Sequence, residues 1–114
     1  MNVYDIAHQL ARALCATPEY KEFKKNVENL QKDSSAKEML SDFRSRQLEI
    51  QALKLSGKPI DEELKKLENL YNIISCNTLL KSYLEAEMRF ATIFEDVQKI
   101  IGDAIEPKID KEKQ

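Results

Sequence analysis

The apolar residues of this chain fall on helical faces from one end to the other. Val3, Ile6, Ala7, Leu10 and Leu14 recur at intervals of three and four, with Ala11 and Ala13 alongside, which marks one face of a helix beginning after Asn2. Tyr20, Phe23, Val27 and Leu30 repeat the pattern to about Gln31. A third stripe runs through Met39, Leu40, Phe43, Gln47, Ile50 and Leu53 to about Ser56, widened by Leu48 and Leu55. Leu64, Leu67, Leu70, Tyr71 and Ile74 make a fourth. No window shows the alternation of a strand flanked by turn residues.

The breaks between these stripes carry helix start and stop signals. Asn2 is placed to cap the first helix, with Asp5 near its positive end. Thr17-Pro18-Glu19 starts the second: a capping threonine, a proline at the first helical position and an acidic first turn. Asp33-Ser34-Ser35 is the next break, and Ser35-Ala36-Lys37-Glu38 fits a capping box for the third helix. Gly57 suits a left-handed stop, Pro59 prevents continuation, and Asp61 is expected to cap the fourth helix. Asn77 either caps a fifth helix or lies at a bend in one rod formed by the fourth and fifth; a break at Asn77 is the reading adopted.

The segment from Asn77 to Gly102 stands apart. Its run of about 25 residues without proline or internal glycine would form a helix roughly 36 Å long. Its apolar positions, from Leu79 through Tyr83, Leu84, Phe90, Phe94 and Val97 to Ile101, cover far more than the ~100° stripe that packs a helix on one core. Two readings follow. The other helices could cover it in one core, or part of it could cover a second copy of the chain, since large exposed apolar patches are poorly tolerated. The second is preferred, with Tyr83, Leu84, Glu87, Phe90, Phe94 and Val97 as the candidate oligomer interface and the third helix as a possible contributor.

The expected fold is therefore all-α: about five helices in an antiparallel helical bundle with a long C-terminal helix, self-associating. A chain of 114 residues with two glycines and three prolines fits a single helical domain, residues 1–105, followed by a charged, frayed tail, residues 106–114. A net charge of -2, from 18 basic and 20 acidic residues, gives no general attraction to nucleic acid or to anionic membranes. No apolar run is long enough to span a bilayer, and Asp5, His8 and Arg12 interrupt any signal-peptide pattern, so a cytoplasmic location is expected.

Candidate chemistry is sparse. His8 is the only histidine, with Asp5 and Arg12 as its helical neighbours, and reads as solvated or structural. Cys15 and Cys76, 61 positions apart, form no ligand spacing and read as small buried hydrophobes rather than a disulfide. Phosphate-cradling glycine loops and Glu-x-x-His ligand pairs are absent from the sequence. The basic cluster Lys21, Lys24 and Lys25 is interleaved with Glu19, Glu22 and Glu28 and reads as a solvated face, as do Arg44, Arg46 and Lys54. Glu85 and Glu87 point about 200° apart on a helix and cannot share a substrate or metal. Glu87 falls inside the apolar stripe. It either sits at the exposed rim or pairs with Arg44, Arg46 or an arginine of a second subunit. No catalytic, cofactor or metal site is assigned, and the chain is read as a non-enzyme.

The residues also carry a resemblance. Asn2-Val3-Tyr4-Asp5-Ile6-Ala7, then Ser34-Ser35-Ala36-Lys37-Glu38-Met39 before Phe43-Arg44, then Gln47-Leu48, Gly57-Lys58-Pro59-Ile60, Tyr83-Leu84-Glu85-Ala86-Glu87 and Ile100-Ile101 together resemble the YlbF/YmcA family of small bacterial helical proteins, closest to its YheA-like branch. The resemblance spans nearly the whole chain. It implies an all-α, self-associating, cytoplasmic protein of Gram-positive-type bacteria. It also implies a regulatory role through protein partners, in development or RNA processing, with an RNA-associated role in an endoribonuclease complex as the alternative. The resemblance also raises cluster binding, since the YlbF/YmcA complex is associated with iron–sulfur clusters in which C-terminal cysteines are implicated. This chain has none after Cys76, so no cofactor is carried over.

Overall fold

The computed structural model describes residues 2–107. They form five helices: α1 (Val3–Cys15), α2 (Pro18–Gln31), α3 (Ser34–Leu55), α4 (Asp61–Ser75) and α5 (Thr78–Ile105), with no strand among them. The expected all-α class, helix count and long C-terminal helix are all present. The break at Asn77 is real: Asn77 is extended and its side chain accepts from the Leu80 N–H at 3.1 Å. Helix α5 runs through Gly102 to Ile105, and Glu106 and Pro107 lie beyond it. Most of the expected tail, from residue 108 on, falls outside the described residues.

Three of the five starts follow the caps read from sequence, and two do not. Asn2 accepts from the Asp5 N–H at 2.9 Å, and Thr17 from the Tyr20 N–H at 3.1 Å. The Thr17 hydroxyl also donates to the Leu14 carbonyl at 2.8 Å, so one side chain ends α1 and begins α2. At α3 the cap is Asp33, not Ser35. Its Oδ1 accepts from the Ala36 N–H at 3.0 Å, and helix is already formed at Ser34. Aspartate is as good a cap as serine, and starting the helix earlier brings Ala36 into the core. At α4, Asp61 lies in the first turn instead of capping it. Ile60 occupies the cap position without a side-chain hydrogen bond, and Asp61, Glu62 and Glu63 supply negative charge to the helix start.

The end of α3 is a Schellman closure. Lys58 N–H bonds to the Leu53 carbonyl and Gly57 N–H to the Lys54 carbonyl, both at 3.0 Å, with Gly57 at φ 73°. A left-handed residue is required there, which is why glycine stands at 57. The turn folds α4 back on α3 as an antiparallel hairpin.

Helices α2 and α5 make the most extensive pair. They run antiparallel: Tyr20 meets Phe90, Phe23 meets both Tyr83 and Phe90, and Leu30 reaches the same cluster as Leu80. The core is small. It lies where the two helix pairs join, from Leu30, Ala36, Phe43, Ile74 and Leu80, with Met39, Leu40, Leu67, Leu70, Leu79 and Leu84 packed around it. Ile74 and Leu80 are fully covered, at 0% exposure.

The molecule is flat and open, with extents of 46 × 42 × 17 Å and a radius of gyration of 18.8 Å. A compact chain of this length would have a radius near ~13 Å. Its accessible surface, 9093 Å², compares with about 6,400 Å² for a compact monomer of this mass.

Candidate interaction site

Two surfaces offer themselves, one on each side of α5. The first is a notch of about 420 Å³ between the α3–α4 hairpin and α5. Phe43, Tyr71, Leu84, Met88 and Ala91 supply its apolar lining, and Arg44, Lys81, Glu85 and Glu87 its charges, which balance. At its centre Arg44 of α3 is paired with Glu87 of α5, and Tyr83 donates its hydroxyl to the other Glu87 oxygen at 3.1 Å. Glu87 is thus satisfied from two sides, and of the two readings of this residue the structure shows the ion pair, with Arg44 as the partner. Arg46 bonds Asp42 on its own helix at 3.4 Å. Burial works against the Arg44 charge, but the hydrogen bond and charge of Glu87 outweigh it and hold the guanidinium pKa above its ordinary value. Burial raises the Tyr83 phenol first, and the Glu87 carboxylate raises it further. Arg44 is therefore a tie between α3 and α5, not the solvated side chain expected from sequence.

The second surface is an uncovered end. Tyr20 and Phe90 close the α2–α5 contact at a ring separation of 5.2 Å, edge to face. Beyond that point α5 continues from Phe94 to Ile105, an overhang of about 18 Å. Helix α1 leaves the start of α2 at the same end. It packs substantially only against α2, and none of its residues is buried; Leu10 and Leu14 are half-covered. Val3 is 71% exposed, Ile6 51%, Ile100 68% and Ile105 73%. Of the thirteen large apolar side chains exposed among the described residues, seven (Val3, Tyr4, Ile6, Phe94, Ile100, Ile101 and Ile105) belong to α1 and the α5 overhang.

The sequence-derived interface residues divide between these surfaces. Tyr83 and Phe90 are half-buried against Phe23 and Tyr20, inside the fold. Leu84 and Glu87 line the notch. Phe94 stacks on Phe90 at 6.5 Å and opens to solvent, and Val97, half-buried, follows one turn later. Sequence reasoning missed α1, Ile100 and Ile105. The available signal was that α1 has a full apolar face but nothing in the chain reserved to cover it. Cys15 and Cys76 are exposed rather than buried, because each lies at the C-terminal end of a helix, facing away from the core. No cluster of three or more His, Cys, Asp or Glu side chains able to hold a metal ion occurs among the described residues. No helix among them is long and apolar enough to cross a membrane.

Comparison with known proteins agrees with this architecture. A UPF0342 protein of Caldicellulosiruptor bescii is 44% identical over 108 residues, covering 94% of this chain and 91% of its own. Another, from Symbiobacterium thermophilum, is 44% identical over 105 residues, covering 91% and 94%. Among solved structures, a protein of unknown function (DUF964) from Bacillus stearothermophilus superposes with a TM-score of 0.76 at 21% identity, over 90% of this chain and 91% of that one. Bacillus subtilis RicA, solved in complex with RicF, matches at a TM-score of 0.59 and 21% identity, over 90% and 92%. At that identity the likeness shows the fold alone. The family described as control of competence regulator ComK, YlbF/YmcA, matches residues 3–106, and the chain belongs to it.

Proposed function

We propose that this protein is a non-enzymatic, cytoplasmic regulator that acts by protein–protein contact, first with itself and then with other regulatory proteins. The observation that carries this reading is the uncovered surface: a protomer with about 2,700 Å² more surface than a compact chain of its mass, with large apolar side chains exposed on α1 and the α5 overhang. Obligate dimers bury roughly 2,000–5,000 Å² in total, or about 1,000–2,500 Å² on each partner, so a second copy could cover much of that surface. Of the six residues read from sequence, Phe94 and Val97 are the pair placed to meet a partner at this end, while Tyr83 and Phe90 pack within the fold and Leu84 and Glu87 line the notch. Membership of a family described as controlling the competence regulator ComK supports a regulatory role in bacterial development. A similar fold in RicA is found in complex with another protein, RicF, which supports action through partners.

Sedimentation velocity across a wide concentration range tests the reading. The wild-type protein should sediment as a dimer or higher assembly, and Phe94→Asp as a monomer of unchanged helix content. Phe94 is chosen over Phe90 because Phe90→Asp would also break the α2–α5 contact. A wild-type monomer at every concentration would sink self-association. RNA binding that weakens steeply with salt would favour the alternative, an RNA-associated regulator, through the exposed Lys21, Lys24 and Lys25.

A further inference from the structure

We propose that α1 is an exchanged arm: in a dimer of this chain, α1 of each copy lies across the α5 overhang of the other. This arrangement presupposes the self-association proposed above and adds its geometry.

Helix α1 is well built but unsupported. It is capped by Asn2, and Val3, Ile6, Ala7, Leu10 and Leu14 share one face, yet none of these is buried in its own protomer and only Leu10 and Leu14 are half-covered. At 13 residues it is at the length where isolated helices are marginal in water, so its stability must come from packing. Within the chain that packing is missing, because α1 meets α2 substantially only near the Thr17 junction. The α5 overhang has the matching need. Phe94, Val97 and Ile101 continue the stripe that α2 covers further back, but α2 ends at Pro18. Large side chains on the overhang face small ones available on α1, Ala7 and Ala11, the alternation that lets two helices interdigitate.

Charge selects between the two ways a second copy could cover the overhang. From Phe94 to Ile105 the overhang carries Glu95, Asp96 and Asp103 against Lys99 alone. Two overhangs laid together would therefore place like net charge side by side. Helix α1 has one aspartate, Asp5, and one arginine, Arg12, and brings no such repulsion. Reciprocal exchange also closes under two-fold symmetry, so no apolar face is left to propagate into a filament.

Complementation between two variants separates exchange from other arrangements. Ile6→Asp/Leu10→Asp spoils the arm, and Ile101→Asp spoils the overhang. Each variant alone should raise the dimer dissociation constant at least tenfold. An equimolar mixture, with one variant dye-labelled, should pair more tightly than either alone, because one arm and one overhang remain intact. A mixture no tighter than the separate variants overturns exchange and places α1 on its own α5. An unchanged dissociation constant in the arm variant also overturns the proposal while leaving self-association standing. A wild-type chain that stays monomeric removes both, and assigns α1 to a different protein. Far-UV circular dichroism reports whether each variant folds. If one does not, hydrogen exchange on the wild type decides: α1 amides should become protected as the dimer fills, and protection independent of concentration overturns the arm.

Discussion

The two halves of α5 carry apolar stripes of similar strength in opposite surroundings. From Leu79 to Phe90 the stripe meets α2, α3 and α4, and Leu80 and Ala86 are wholly covered. Beyond Phe94 the same periodicity loses its cover: Val97 is half-buried, and Ile100, Ile101 and Ile105 are open. Periodicity within a helix therefore shows which side seeks cover. It does not show whether the cover comes from the same chain. That is decided by how far the neighbouring helix reaches, and α2 begins at Pro18, only two residues from the Tyr20 that meets Phe90.

The sharpest test of this contrast is truncation in each half. Ile74→Ala or Leu80→Ala should cost about 2–5 kcal/mol in urea denaturation, since both side chains are fully covered and leave a cavity. Ile100→Ala, measured at concentrations too low for association, should change stability by less than about 0.5 kcal/mol. Equal costs at the two sites would mean that the overhang is packed in the monomer. Next in size are the caps. Asn77→Ala and Asp33→Ala should each lose about 1 kcal/mol, and Ser35→Ala much less, because Asp33 and not Ser35 bonds the Ala36 N–H. The Arg44–Glu87 tie comes third. Both side chains are about one-third exposed, so Glu87→Gln should cost no more than about 1 kcal/mol.

The smallest effect is one of titration. Burial and then Glu87 raise the Tyr83 pKa above the usual phenol value of about 10, so folding favours the protonated form. The associated stability is complete below that value and fades as pH climbs through the folded-state pKa. An ultraviolet titration of the native protein should show one phenol ionising after the others. Tyr83→Phe should remove that late component, and Glu87→Gln should move it earlier. A wild-type titration with no late phenol would place Tyr83 outside the reach of Glu87.

Much of the fold is legible in the sequence because it is written locally. Asn2, Thr17, Pro18, Gly57 and Asn77 act within a few residues of themselves, and their roles follow from backbone chemistry. Where two caps compete, as Asp33 and Ser35 do, local chemistry allows both, and the burial of Ala36 selects one. The candidate site was legible only in part. Glu87 stood out as a charge in an apolar stripe, but its choice of Arg44 over Arg46 depends on the angle at which α3 crosses α5, which no periodicity encodes. The exposure of α1 was hidden for the same reason: an amphipathic face looks identical whether its cover is in the same chain or in another.

The pairing of α2 with α5 has a consequence for synthesis. The most extensive contact in the protein joins its second helix to its last, with the α3–α4 hairpin between them. A nascent chain can close the hairpin as soon as α4 leaves the ribosome, but Phe23 must wait about 60 residues for Tyr83 and Tyr20 about 70 for Phe90. At roughly 5–20 residues per second, that leaves Tyr20 and Phe23 uncovered for several seconds. Once α4 is out, the hairpin stands as a brace for the last part of that wait, presenting Ala36, Phe43 and Ile74 where Leu80 will arrive and shortening the search when α5 appears.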